Sequence, residues 1–563
     1  MSALDYGIVI AYFVIVFVVA FWVTRSERKE KSTSGYFLGS RNTGWFVIGA
    51  SLFASNIGSE HLIGLAGSGA RGDFVNGQFE MLAALILLLL GWFFVPFYLR
   101  SGVYTMPEFL EKRYNKGARN YLSILSILAY VLTKISVTVF AGALVFEQLL
   151  GIEFWTGAVF VVVATGVYTV FGGLKAVVYT DMVQMFVLIG GSIAVTYFGL
   201  HVLGGWDGMR DTLVSATGDQ GSNYLSLWRS AEDTNYPWTG ILFGAPILGV
   251  WYWCTDQFIV QRVLAAKDQL NARRGTIFAG FLKLLPVFLF VLPGVVAMAL
   301  HVQDGTLLLS KDGSMNYDAA LPALVKNYLP SGLKGLVAAG LLAALMSSLS
   351  SVFNSCSTLF TFDFFKVWRP HAEERKLVFV GQMSTAVLVV VGLLWIPFME
   401  NLMQDGGLFK YLQSIQAYIS PPIAAVFLFG ILTRRVNGQG ANAALWTGFV
   451  LGIGRLVLEF LSAPDKEGLR ILHIQPGTLL DLFVSMNFLH FALVLFMISS
   501  LVLFIRSLLS PSQEEHTIAD LTYDKTRSST EIVPGIRMDV ALSLLLIVAV
   551  VVLWLIFSPL GIA

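Results

Sequence analysis

The stretch Ser51–Gly64, SLFASNIGSEHLIG, sets Asn56, Ser59, Glu60 and His61 around Gly58 inside a segment otherwise apolar enough for a membrane. A helix crossing hydrocarbon satisfies its own backbone polar groups, and a broken or polar one persists only where protein or a water-filled cavity surrounds it. Interrupted helices near the bilayer midplane recur as binding devices for ions and solutes. The chemistry indicated is non-covalent capture of something polar within the membrane. Lys283, in GFLKLLPVFLF, extends the set. It lies about eight residues, or ~12 Å, into its helix. A charge at full depth costs roughly 2.5–3.5 kcal/mol on insertion scales. Lys283 therefore either snorkels toward the surface or makes hydrogen bonds that justify its place. Glu80 suits a helix N-terminus and a ligand contact equally. Gln413 and Gln416, in YLQSIQAY, need partners if buried, and a polyhydroxyl ligand provides them. Trp251, Tyr252 and Trp253 read either as packing and an interfacial belt or as rings stacked on a flat ligand face. Aromatics beside Asn, Gln, Glu, Lys and His suit a sugar, whose hydroxyls need donors and acceptors and whose C–H face needs a ring.

A second group suits a hard monovalent cation. LLAALMSSLSSVFNSCST crowds Ser347, Ser348, Ser350 and Ser351 into little more than a turn, and Ser347 shares a face with Ser350 and Ser351. Membrane hydroxyls often only bond the i−4 carbonyl or join neighbouring helices. Neutral oxygens together with carbonyls freed at a helix break also form a cation shell. Asp181, in YTDMVQ, reads as a favourable acid at a helix start or as a carboxylate for a further cation. No nucleotide-binding glycine loop with its lysine, no HExxH and no dense Cys/His cluster occurs, so ATP-driven pumping and metalloprotease chemistry lack support. No nucleophile–base pair is evident, and an enzyme is not expected.

The elements that must position these groups are membrane helices. Of 563 residues, 56% are hydrophobic and 13% charged, with a mean hydropathy of +0.71; soluble domains carry about 25% charged residues. The net charge of +1 argues against nucleic-acid partners. Cys254 and Cys356 both fall in apolar runs, against a disulfide framework or thiolate metal site. The first apolar run follows only Asp5, without a basic n-region, and reads as a retained span rather than a signal peptide. Runs of ~20 apolar residues give an all-α polytopic protein of about fourteen transmembrane helices, among them 154–171, 178–205, 240–265 and 479–506. Basic residues gather in every second loop: Arg25, Arg28, Lys29, Lys31 and Arg41; Arg100, Lys112, Arg113, Lys116 and Arg119; Arg262, Lys267, Arg273 and Arg274; Lys366, Arg369, Arg375 and Lys376. Those loops belong in the cytoplasm, which puts both termini outside. No asparagine begins an N-x-S/T sequon, which favours a bacterial inner membrane over a secretory-pathway surface. WYWCTDQ (Trp251–Gln257) disrupts the seventh helix as the Gly58 stretch disrupts the second, the pattern expected of two five-helix inverted repeats with discontinuous first members.

GASLFASNIGSEHLIGLAGSGA, GVYTMPEFLEKRY, YTVFGGLKAVVYTDMVQ, WYWCTDQFIVQRVLAAK, FLKLLPVFLFVLPG and LMSSLSSVFNSCSTLFTFDFFK resemble the sodium/solute symporter family, and within it the sodium/glucose cotransporter branch, from about residue 35 to 435. The resemblance implies a leucine-transporter-type 5+5 inverted-repeat core with flanking helices. The expected layout is an N-terminal extra transmembrane helix and cytoplasmic loop (1–41), a first five-helix repeat (42–205), an extracellular loop (206–239) and a second repeat (240–433). Two additional helices (434–506), a cytoplasmic linker (507–536) and a C-terminal transmembrane helix (537–563) complete it. It further implies a sugar site at Asn56, His61, Glu80, Tyr252, Trp253, Lys283 and Gln413, with Tyr252 as the inner gate. The main sodium site falls on the carbonyls of Ala54, Ile57 and Ala344 and the hydroxyls of Ser347 and Ser348. Members using a second sodium resemble this chain at Asp181, Ser350 and Ser351, so two Na+ per sugar is plausible. The chain departs from relatives near the presumed sugar at Gly249, Met81, Gln416, Ala83 and Thr138. The implied activity is sodium-coupled import of a glucose- or galactose-like sugar across the lipid bilayer. A same-fold symporter for myo-inositol, sialic acid or an amino acid is the alternative. A transporter-like nutrient sensor is remoter, because 507–536 is too short for a signalling domain.

Overall fold

The computed structural model describes residues 1–25, 32–217, 224–310, 313–400, 408–462, 471–523 and 535–561; for 59–60, 132–133, 136, 140–141, 144–145, 148, 392, 395–400 and 408–412 it describes the backbone alone. The side chains of Ser59 and Glu60 thus lie outside what is described. Among the described residues every regular element is a helix, with two isolated bridges, Thr43 to Ala266 and Leu309 to Met315.

The helices are α1 (Ala3–Arg25), α2 (Trp45–Asn56), α3 (Ser59–Arg71), α4 (Phe74–Ser101) and α5 (116–150). A run Phe154–Val202 follows, divided at Gly173 into α6 (154–172) and α7 (174–202). Then come α8 (238–255), α9 (Gln257–Leu264), α10 (Gln269–Asp304), α11 (Leu333–Trp368) and α12 (Glu374–Glu400). The chain continues through α13 (Leu408–Leu432), α14 (Gly438–Ser462), α15 (Phe488–Leu508) and α16 (Ile536–Ile556). Nine helices among the described residues are long and apolar enough to cross a membrane. The fourteen passes read from sequence exceed this number by five: α2/α3 and α8/α9 are broken, α5 and α12 are not among the nine, and α6–α7 count as one. A straight helix of that length would span about 70 Å, roughly twice a bilayer. Gly173 prevents this by adopting φ +56° and ψ −159° against the backbone of Tyr36. The turn needs a single residue where the sequence suggested a loop of several. The stretch read as one helix over 479–506 also divides, into Leu479–Ser485 and α15. Asn487 caps α15 through Leu489 N–H (2.9 Å) and holds the carbonyls of Thr234 and Asn235 at 2.8 and 2.9 Å.

Both breaks are local and specific. α2 ends because Ile57 and Gly58 are extended, and Gly58 N–H donates to Asn56 O at 3.1 Å. The Ala54 carbonyl thereby loses its usual i+4 donor. α8 closes in a wide turn over Val250–Thr255, and Asp256, extended, caps α9 through Phe258 N–H at 3.2 Å. Five changes of direction carry the chain from one broken helix to the other, so the two run antiparallel.

Helix α11 is the buried centre and packs along α1, α5, α6, α7 and α12. Its N-terminus is capped from α1, where the buried Asp5 carboxylate accepts Gly332 and Gly335 N–H at 2.7 and 2.9 Å; an acid there satisfies orphan amides and meets the positive helix end. Helices α3 and α10 cross closely because Gly69 faces the Val291 carbonyl and Gly294 faces that of Ala66. Part of the 507–536 segment, read as a linker, is docked. Gln513 bonds Arg113 (2.7 Å) and the Tyr114 carbonyl (3.0 Å), Tyr523 N–H bonds Ile431 O (2.8 Å), and Ile518 and Leu521 are buried. Buried Arg113 itself donates to the carbonyls of Gly430, Thr433 and Val436 at the end of α13 (2.6, 2.8 and 3.1 Å).

Candidate functional site

The two breaks face each other across a cavity of about 630 Å³, its open mouth included. Asn56 and His61 enter from the α2/α3 break, Glu80 from near the start of α4, Tyr252 and Trp253 from α8, and Gln413 and Gln416 from α13. Six of the seven side chains expected at a sugar site thus line one cavity. Lys283 does not line it. It is fully buried behind the wall, where its ammonium donates to Glu80 Oε2 (2.5 Å) and to Asn56 Oδ1. Snorkelling is thereby excluded, and Lys283 acts by orienting a carboxylate and an amide that do reach the cavity. The ammonium also lies 5.1 Å from the Trp253 ring centre, within cation–π range. His61 Nε2 stands 4.0 Å from Glu80 Oε1.

Tyr252 is part of the cavity wall. Its hydroxyl accepts from Asn56 Nδ2 at 3.0 Å and from Lys134 Nζ at 3.3 Å. Trp253 meets it edge to face, with centroids 5.2 Å apart. Lys134 was not singled out from the sequence, although it is a lysine inside a predicted helix. It sits 3.6 Å above the Phe258 ring and 4.0 Å from Asp256 Oδ2, so the Tyr252 hydroxyl is tied to the α8/α9 break. Among the departures, Gly249, Ala83 and Gln416 line the cavity, whereas Met81 and Thr138 are buried away from it. A side chain at Gly249 would collide with the tip of Ile86.

Toward the other side of the break lies a buried cluster of oxygens. Ser348 Oγ donates to the Ser55 carbonyl at 3.2 Å, which brings α11 beside Ala54 and Ile57 at the end of α2. Ala344 is buried one turn before on α11. Ser347 donates to Asp181 Oδ1 (2.6 Å), while Ser51 and Ser55 donate to Asp181 Oδ2 (2.5 and 2.9 Å). The two oxygen sets expected for separate sodium ions are therefore joined at Ser347. Ser350 instead donates to its own helix at Ser347 O (3.0 Å), and Ser351 donates to Ser55 Oγ (3.2 Å). Sequence reasoning also missed Arg262, counted there as a cytoplasmic loop charge. It is fully buried on α9, 3.6 Å from Asp181 Oδ2, and donates to Ser51 (3.0 Å), Ser55 (2.7 Å) and Ser351.

Residues 36–448 match the model of the sodium:solute symporter family. Sodium/glucose cotransporter 1 of Oryctolagus cuniculus is 39% identical over 532 residues, covering 90% of this chain and 79% of that one. The sodium/myo-inositol cotransporter of Mus musculus is 39% identical over 553 residues, covering 93% and 76%. Among solved structures, a substrate-bound, outward-open Na+-coupled sialic acid symporter superposes with a TM-score of 0.75 at 20% identity, covering 91% of this chain and 99% of that one. The nucleobase-cation-symport-1 transporter Mhp1 in a closed conformation gives 0.51 at 15% identity, covering 86% and 97%. These two establish the leucine-transporter-type fold of five-plus-five inverted repeats. By sequence and by fold, the chain belongs to the sodium:solute symporter family.

Proposed function

We propose that the chain is a sodium-coupled secondary active symporter that imports a neutral monosaccharide of glucose or galactose type by alternating access. The observation that carries this reading is the shared break: Asn56 faces the cavity, while the residue before it, Ser55, meets Ser348, Ser351 and Asp181. The proposed sugar contacts are Asn56, His61, Glu80, Tyr252, Trp253 and Gln413, with Lys283 setting Asn56 and Glu80. The proposed main sodium ligands are the carbonyls of Ala54, Ile57 and Ala344 and the hydroxyls of Ser347 and Ser348; a second ion would draw on Asp181, with Ser351 and, after rotation, Ser350. Sodium joining α2 to α11 favours the outward-open state, and sugar then binds tighter because that state is more populated. Tyr252 holds the inner gate shut until sodium and sugar are both seated; movement of the gate then opens the inside. Loss of sodium to the cytoplasm weakens the sugar's hold.

The relatives named for sodium and glucose support this reading, and the cavity's amides and rings favour a neutral polyol. Similarity to the sodium/myo-inositol cotransporter gives myo-inositol as the second candidate. The repeats are taken as 42–205 and 240–433. The basic loops favour both termini outside, and the absence of N-x-S/T sequons favours a bacterial inner membrane. Uptake into proteoliposomes under an imposed sodium gradient, run across sugars, polyols, amino acids and sialic acid, tests the assignment. Sodium-stimulated uptake of a hexose supports it, and stimulation by an anionic or amino-acid substrate alone rejects it.

A further inference from the structure

The sugar cavity leaves Arg262 unexplained. An arginine with no exposed surface, set among serines, the Asp181 carboxylate and the Phe258 carbonyl of its own helix, is costly unless its charge has a task. Its surroundings are unusual for an ion pair. Asp181 takes no hydrogen bond from the guanidinium, which stands 3.6 Å from Oδ2. Its oxygens instead lie within hydrogen-bond distance of three serine hydroxyls, those of Ser51, Ser55 and Ser347, of which Ser55 also reaches the Ser51 carbonyl at 2.6 Å. Arg262 Nε in turn donates to Ser51 and Ser55, and Nη2 to Ser351. Guanidinium and carboxylate are therefore linked through hydroxyls, each of which is able to turn its hydrogen away and present a lone pair. With the arginine withdrawn, Asp181 and these serines form a set of hard oxygens with one negative charge, the donor type that alkali cations take. With it in place, that set already holds a cation.

The arginine is also mounted on a part able to move. Helix α9 begins immediately after the extended residue Asp256, whereas Asp181, Ser51 and Ser347 belong to α7, α2 and α11. A tilt of α9 about Asp256 would carry the guanidinium out of the cluster as one body.

We infer that Arg262 is a tethered cation that keeps the cytoplasmic side shut by standing in the cation place beside Asp181, and that a transported sodium ion and this guanidinium are mutually exclusive partners of that carboxylate. The inference rests on the sodium-coupled reading and adds a competitor built into the chain. Two positive charges at one carboxylate repel each other strongly in a buried site. Sodium arriving at Asp181 must then displace α9, and the return of Arg262 expels the ion when the inner side closes.

The test is sodium binding to purified protein, read as the sodium chloride midpoint for thermal stabilisation against choline chloride at constant ionic strength. R262Q should lower the midpoint roughly tenfold, equivalent to about 1.4 kcal/mol. The double variant D181N/R262Q, which leaves no unpaired charge, should lose that gain. R262K keeps the charge but lacks the fork that spans several serines, and should shift the midpoint in the same direction by less; it serves where R262Q does not fold. An unchanged or higher midpoint in R262Q, or in R262K where that variant stands in, would overturn the inference, as would a full gain retained in D181N/R262Q. Wild-type protein with no sodium-dependent stabilisation would reject the sodium-coupled reading itself, a distinct result.

Discussion

Lys283 is held without solvent because Glu80 and Asn56 accept hydrogen bonds from its ammonium, and this makes the three residues a unit. Removing one member of a buried pair costs about 3–5 kcal/mol through the charge left behind. Lys283→Met should therefore abolish sugar uptake, and the double variant K283M/E80Q should recover stability, measured by thermal unfolding, without recovering sugar affinity. Gln413→Ala removes a neutral contact at the cavity wall and should raise the KM for sugar about fivefold, the worth of ~1 kcal/mol; unchanged kinetics would remove Gln413 from the pocket. Gly249→Thr must displace Ile86 and narrow the cavity, so the ratio of hexose to myo-inositol uptake should change while sodium dependence stays. Polar groups in apolar runs were legible in the sequence because hydrocarbon tolerates few of them. Their directions were not, since Lys283 reads the same whether it faces a ligand or another side chain. Arg262 was misplaced because a helix end near the cytoplasm and a loop carry the same charge signal.

Helix limits followed from length and hydropathy wherever an element is continuous, as in α4, α11 and α14. They failed where one residue decides the geometry. Gly173 reverses the chain between α6 and α7 without a loop, and Asn487 starts α15 inside an unbroken apolar run. Hydropathy averages over such residues, so neither signal survives in a window of ~20. The breaks in α2/α3 and α8/α9 were legible because each combines polar residues with a local irregularity. The docked part of the 507–536 segment was not, since its polarity matches a free linker and only its contacts reveal the anchor. Arg113 is central to that anchor, with three carbonyls at the end of α13 and Gln513 as partners. Arg113→Ala should destabilise the protein by roughly 3 kcal/mol, since each orphaned acceptor costs about 1–3; a thermal midpoint equal to wild type would show that the segment bears no load.

For the whole molecule, the number of ions sets what transport achieves. One charge crossing ~100 mV yields about 2.3 kcal/mol, and a tenfold sodium gradient adds about 1.4. Two ions supply roughly 7 kcal/mol, enough for ~10⁵-fold accumulation of a neutral sugar, against several hundredfold for one. The sodium Hill coefficient of uptake distinguishes these regimes, and Asp181→Asn should bring a value near two down to one. Coupling, however, comes before stoichiometry. The break that exposes Asn56 to sugar also carries Ala54 and Ser55 toward Ser347 and Ser348, so occupancy on one side must alter affinity on the other. Linkage makes the effect reciprocal. The most direct measurement is equilibrium binding of labelled glucose to purified protein in sodium and in choline, paired with sodium titrations with and without glucose. Sodium should tighten sugar binding, and glucose should tighten sodium binding by the same factor, with both effects lost in Ser347→Ala. Sugar affinity that is equal in sodium and choline would contradict the account.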